Sequence, residues 1–205
     1  MALQNRVTPH GTIIATPARG LFMGNRGGRI HDPATRTLTN RRFASRRWIC
    51  CATSFKGRLR AVMGTGYTEL FFLDEVTALA AGHRPCFECR RAAAREFAAS
   101  WRKAQGLAAP PSADEMDRIL HRERLGPRPR AGLDGLPDGT AVLTGEGAEE
   151  RAAFVRGERL LVWGEAGFTA AVARPRGISL PLLTAPAIVA VLEAGYAPVW
   201  HPSAG

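Results

Sequence analysis

The stretch LFFLDEVTALAAGHRPCFECRR runs from Leu70 to Arg91. It opens on an unbroken apolar run, the pattern of a central strand buried on both faces. With the preceding Gly64-Thr65-Gly66 turn, it predicts a strand over 67–73. Asp74 is placed to cap a short helix over 75–81, and Gly82 stops it. Behind the Gly82-His83-Arg84-Pro85 turn stands a C-x2-C pair, Cys86 and Cys89. Such a turn lets backbone amides point at thiolates, and two sulfurs at this spacing can reach one tetrahedral ion. A second helix follows over about 89–105, with Phe97 and Trp101 at i, i+4 on its inner face. Arg90 and Arg91 fall in its first turn, where cations oppose the helix dipole. That cost is offset where those arginines meet an acid or a phosphate.

Moving toward the N-terminus, Trp48–Phe55 reads as a strand and, with a Lys56-Gly57-Arg58 turn and 59–63, as a hairpin. It carries the other two cysteines, Cys50 and Cys51. Neighbouring side chains on a strand point to opposite faces, so both can hold one ion only across a bulge. The simpler expectation is one ligand and one small buried hydrophobe. A histidine would then complete the site, with His31 and His83 as candidates. A redox pair has the same C-x2-C spacing, but the thioredoxin-like βαβ surroundings it needs are missing, so metal is the preferred reading. The expected metal set is Cys50, Cys51, Cys86, Cys89 and His31, holding Zn2+.

The charge is strongly lopsided. Residues 1–103 hold 18 basic and 6 acidic side chains, whereas 104–205 hold 10 and 12. A domain this basic repels itself unless it faces a polyanion, and arginine grips phosphate with a planar, bidentate fork. The expected partner is therefore nucleic acid, DNA contacted along its backbone. The expected contacts are Arg26, Arg29, Arg41, Arg42, Arg46, Arg47, Lys56, Arg58, Arg90 and Arg91. Arg19 to Arg29 reads as a Gly/Arg-rich loop without an acid, open to close approach of a ligand. It lacks the G-x4-G-K-[ST] spacing of a Walker loop.

Beyond Gly106–Pro111, Ser112 and Glu115 form a capping box that opens a helix to about Leu125. Short strands are expected at 140–144, 154–156, 159–163 and 168–173, and a last helix over about 186–194. No catalytic constellation is visible there. The predicted fold is α+β, an antiparallel sheet with helices around a Cys-rich zinc site over 1–107. A helical linker over 108–131 and a small β-rich module with a C-terminal helix over 132–205 complete it. No apolar run reaches the roughly 18 residues of a membrane span, and the first residues lack a secretory signal's apolar region. A cytoplasmic protein is expected.

Leu70–Arg91 resembles the zinc-binding N-terminal domain of the Ada family of bacterial DNA alkylation-repair proteins. There a buried strand with an aromatic pair leads to a helix ending Ala-Leu-Ala-Ala-Gly, an Arg-Pro and a C-x2-C. The resemblance covers 22 residues. It implies that Cys86 and Cys89 are the second zinc pair and that Arg90 lies where basic residues follow it. It also implies DNA damage recognition or repair as the setting. In that family the first pair is C-x3-C, one member of which takes a methyl group from a DNA phosphotriester; this chain has adjacent Cys50-Cys51 instead. The leading expectation is a zinc-containing DNA-binding protein. The alternatives are a zinc-thiolate alkyl acceptor or nuclease, for which Asp32, His31, Glu69 and Asp74 are the polar reactants at hand, and an interaction module whose zinc knuckle only holds the fold.

Overall fold

The structure is a computed structural model that describes residues 2–58 and 61–205. Its N-terminal half comprises β1 (Gln4–Val7), β2 (Ile13–Ala15), β3 (Phe22–Arg26), β4 (His31–Asp32), β5 (Thr37–Leu38), β6 (Trp48–Ala52) and β7 (Leu70–Phe72). Then come α1 (Glu75–Ala80), β8 (Arg84–Pro85), α2 (Arg91–Ala104) and α3 (Ala113–Leu125). The remainder is β9 (Arg130–Gly132), β10 (Ala141–Thr144), β11 (Arg151–Arg156), β12 (Arg159–Gly164), β13 (Gly167–Ala173), β14 (Ser179–Pro181) and α4 (Pro186–Glu193). The class is mixed α and β, with several sheets and four helices.

The largest sheet runs β2-β1-β7-β3-β6-β8. It is mixed rather than wholly antiparallel, because β1 pairs with β7, and β6 with β8, in parallel. β7 lies in its interior with Leu70 and Phe72 fully buried, as its apolar run requires. Among the described residues, β6 does not pair with 61–63, the described part of the expected 48–55/59–63 hairpin. β6 pairs instead with β3 and β8; Leu59 and Arg60 lie outside the described residues, and Met63 and Gly64 continue in a turn and bend. The stretch read as a Gly/Arg loop contains β3, the strand that joins β7 to β6. Gly24 makes this possible: a Cβ there would meet the Ile49 carbonyl oxygen at 2.0 Å and the Phe72 ring at 2.9 Å.

α1 is the hub of the molecule, and all six of its residues are buried. Asp74 caps it, its carboxylate accepting the Thr77 amide at 2.9 Å. Gly82 ends it at φ +78, a left-handed conformation that costs glycine little. Ala78 and Ala81 pack against Val7, Cys50, Leu70 and Phe72 of the large sheet. Val76 and Ala80 pack against Ala141, Leu143 and Phe154 of the antiparallel β10-β11-β12-β13 sheet. Leu79 joins a third cluster with Phe97 and Trp101 of α2, Met116 and Leu120 of α3, and Ile188 and Val191 of α4. The Ser112–Glu115 capping box is formed in full, and Pro186 occupies the first turn of α4. Among the described residues, no helix is long and apolar enough to cross a membrane.

Candidate metal centre and its pocket

Strand alternation decides which cysteine faces what. On β6, Trp48 and Cys50 turn toward α1, while Ile49 and Cys51 turn to the other face. The parallel pairing of β6 with β8 sets Cys50 opposite Pro85. One residue on, Cys86 is brought beside Cys51, its amide donating to the Cys50 carbonyl at 2.9 Å. The knuckle turn then returns Cys89 to the same place. The Sγ atoms of Cys51, Cys86 and Cys89 all lie within 4.8 Å of one another. The Glu88 amide points at the Cys86 sulfur at 3.4 Å, the amide-to-sulfur geometry expected of a zinc knuckle.

Three thiols this close cannot all ionise without a cation. Hydrogen bonds from Cys51 and then Cys89 hold the Cys86 thiol well below its usual range. The same bond to Cys86, followed by that to Cys89 and by burial, pushes Cys51 upward. One thiolate is thus held by two protonated neighbours, a donor set that a soft or borderline divalent ion would convert to three thiolates. The residues present fit a metal ion.

Cys50 and His31 lie outside this group. Cys50 is fully buried in the core, and burial pushes its thiol upward. Among the described residues, its sulfur accepts a 3.4 Å contact from Arg90 Nη1. His31 is buried with both ring nitrogens engaged, Nδ1 with Thr68 Oγ1 at 2.6 Å and Nε2 with the Gly64 carbonyl at 2.8 Å. His83, the other histidine candidate, is fully buried between the rings of Trp48 (5.0 Å between centroids) and Phe72 (4.7 Å). Neither of its nitrogens makes a well-aligned hydrogen bond among the described residues; the Ala78 and Ala81 backbone raises its pKa, but burial outweighs this and holds it well below 6.5.

The ten basic residues separate into three groups. Arg26 is 3% exposed; its guanidinium stacks on Trp48 at 4.1 Å and donates to the Gly11 carbonyl. Burial, with Arg124 and Arg42 nearby, lowers its pKa to about 9. Arg90 meets an acid: it clasps Glu75 with two bonds of 2.8 and 2.7 Å. Burial alone would lower the Arg90 pKa, but the hydrogen bond and charge of Glu75 drive it upward. Both residues build the fold. Arg46 and Arg58 are exposed and paired with Asp114 and Glu88, each at 2.8 Å. Arg29, Arg41, Arg42, Arg47, Lys56 and Arg91 are exposed, with no salt bridge among the described residues.

Of the polar reactants, Asp74 is consumed by its cap and by the His201 amide, with burial raising its pKa. Asp32 holds the Ala34 amide in a turn. Glu69 is different. It is 4% exposed and lines a cavity of about 310 Å3 whose wall also includes Cys51 and Cys89. Asn25, Met23 and Phe71 line it too, on the cysteine-bearing face of β3 and β7. Asn25 escapes sequence reading because its strand has the composition of a loop; the 23/25 and 69/71 alternation is the signal that could have found this wall. Comparison with protein-family models, curated proteins and solved structures finds no match for the chain.

Proposed function

We propose that this protein is a zinc-containing, nucleic-acid-binding protein that contacts DNA along its backbone. The observation that carries the metal half of this reading is the convergence of Cys51, Cys86 and Cys89 within 4.8 Å. Three sulfurs at that separation suit zinc, which takes thiolates at about 2.3 Å in a tetrahedron. The nucleic-acid half rests on the excess of basic residues in 1–103 and on the six exposed cations that form no salt bridge among the described residues. Phosphate contacts of this kind give affinity without sequence choice. Damage recognition or repair is the setting that the Ada-like stretch suggests.

The test is binding of the zinc-loaded full chain to an arbitrary duplex as salt is varied. The logarithm of affinity should fall linearly with the logarithm of salt concentration. Each of Arg41→Ala, Arg42→Ala and Arg47→Ala should reduce the slope by about 0.9 for every phosphate that the variant no longer neutralises. Absence of measurable affinity at low salt would overturn the nucleic-acid reading, and protein purified without chelator yet free of metal would overturn the zinc reading.

A further inference from the structure

Three ligands do not complete a tetrahedron. Among the described residues, no other cysteine, histidine, aspartate or glutamate joins the three sulfurs. The positions outside the described residues are Met1, Leu59 and Arg60, none of them a residue that zinc takes as a side-chain ligand. Two of the three cysteines, Cys51 and Cys89, form part of the wall of the 310 Å3 cavity. A structural zinc site is closed by four protein ligands, whereas one that takes exogenous ligands keeps a position open.

The cavity has its own chemical character. Met23, Ile49, Phe55, Tyr67 and Phe71 give it apolar and aromatic walls. Two buried polar side chains lie among them, Asn25 at 7% exposure and Glu69 at 4%. The Met63 backbone amide donates to Glu69 Oε2 at 2.8 Å and fixes the carboxylate. The Gly27 amide donates to Asn25 Oδ1 at 2.9 Å, which directs the amide group in the same way. Arg58, exposed and also lining the cavity, is already paired with Glu88 at 2.8 Å.

These charges select the ligand. Three thiolates outweigh a divalent ion, and Glu69 adds a further negative charge, so a neutral ligand is favoured over an anion. A three-thiolate centre is soft enough to prefer nitrogen over oxygen as its remaining ligand. An acceptor-only carboxylate takes an N–H or O–H donor, and an amide offers a donor or acceptor beside it. The aromatic faces of Phe55, Tyr67 and Phe71 suit a ring. We propose that the cavity is a ligand site for a neutral, planar nitrogen heterocycle. A ring nitrogen would fill the open metal position, and an N–H group would donate to Glu69. This rests on the zinc reading above, and it makes Glu69 a binding residue. Such a ring can come from a free small molecule or from a base turned out of a nucleic-acid strand.

Cobalt(II) replaces zinc in the full chain and reports both steps separately. Sulfur-to-cobalt charge-transfer bands test the thiolate site, and the visible ligand-field bands test what occupies the remaining position. Imidazole and adenine should each shift the ligand-field bands while the charge-transfer bands persist. Glu69→Gln should keep metal content and charge-transfer bands yet weaken adenine binding by about tenfold, the loss of one hydrogen bond to a charged group. A duplex with one unpaired adenine identifies the source. A shift with that duplex at concentrations where free adenine has no effect points to nucleic acid, and the reverse points to a free molecule. Charge-transfer bands whose ligand-field partners ignore imidazole, or ignore adenine in both forms, overturn the ligand site while the metal reading stands. Absence of charge-transfer bands overturns both.

Discussion

A strand turns neighbouring side chains to opposite faces, so a single step along β6 separates the metal group from the core at Cys50 and Cys51. Cys51→Ser should therefore abolish bound metal, whereas Cys50→Ala should keep it and cost about 1 kcal/mol for the small cavity. Metal per chain and a denaturant midpoint distinguish them, and metal lost equally from both would contradict the alternation. His83 poses a different residue-scale question, since it is buried between Trp48 and Phe72 with neither ring nitrogen in a well-aligned hydrogen bond among the described residues. Its pKa in the fold lies well below 6.5, with burial the largest cause and Arg26 and Arg124 adding to it. The unfolded chain thus binds the proton more readily. The neutral form's contribution is complete above about 6.5 and is lost as pH falls from there toward the folded value. Replacing His83 by phenylalanine removes both buried nitrogens and this proton linkage. His83→Phe should match or exceed the native protein's stability at pH 7.5, by up to about 1 kcal/mol, and its advantage should grow toward pH 5.5. A constant difference across that range would show that His83 is not held neutral.

At the scale of elements, the close approach of β3 to β6 depends on one missing side chain. Gly24→Ala drives a Cβ into the Ile49 carbonyl oxygen and the Phe72 ring, and the expected cost is about 1–3 kcal/mol, as for other overpacked sites. β6 carries Cys51, so metal affinity should fall with it. Gly66→Ala, with nothing within 4 Å of its Cβ, should change neither. Equal behaviour of the two variants in a metal-retention and melting comparison would sink this account. The same glycine explains what sequence reading can and cannot reach. The strand, cap, helix and glycine stop of 70–82 are legible because each carries its own local chemistry, as are the Ser112 capping box and the helix opened by Pro186. Cys86 and Cys89 are legible from spacing. β3 is not, because Gly24-Asn25-Arg26-Gly27-Gly28 has the composition of a loop and becomes a strand only when β6 and β7 close on both its edges. Without β3 in the sheet, local pattern pairs β6 with its downstream neighbour, and Asn25 and Glu69 cannot be placed on one wall.

Across the whole molecule, hydrophobic contacts cross the boundary expected near residue 107. Leu79, Phe97 and Trp101 from before it share a cluster with Ile188, Val191 and Tyr196 from after it. Glu75 binds Arg90 on one side, and the Tyr196 hydroxyl (2.6 Å) and Val199 amide (3.0 Å) on the other. Arg84 beneath the knuckle is locked to Asp117 of α3 by two buried bonds of 2.9 and 2.7 Å. Removing one partner from such a buried pair costs about 3–5 kcal/mol, a large share of a typical domain's stability of about 5–15 kcal/mol. A fragment of residues 1–107 would leave Arg84 without Asp117 and Glu75 without Tyr196, and would open the apolar faces of α1 and α2 to water. It should fail to unfold cooperatively even with saturating zinc, while the full chain gives one transition by both circular dichroism and tryptophan fluorescence. The C-terminal half then acts as the other wall of α1, fixing from behind the helix that leads into the knuckle. A zinc-loaded 1–107 fragment with a sharp transition and dispersed amide resonances would show instead that the metal alone organises the basic half, leaving residues 108–205 free to serve a separate task.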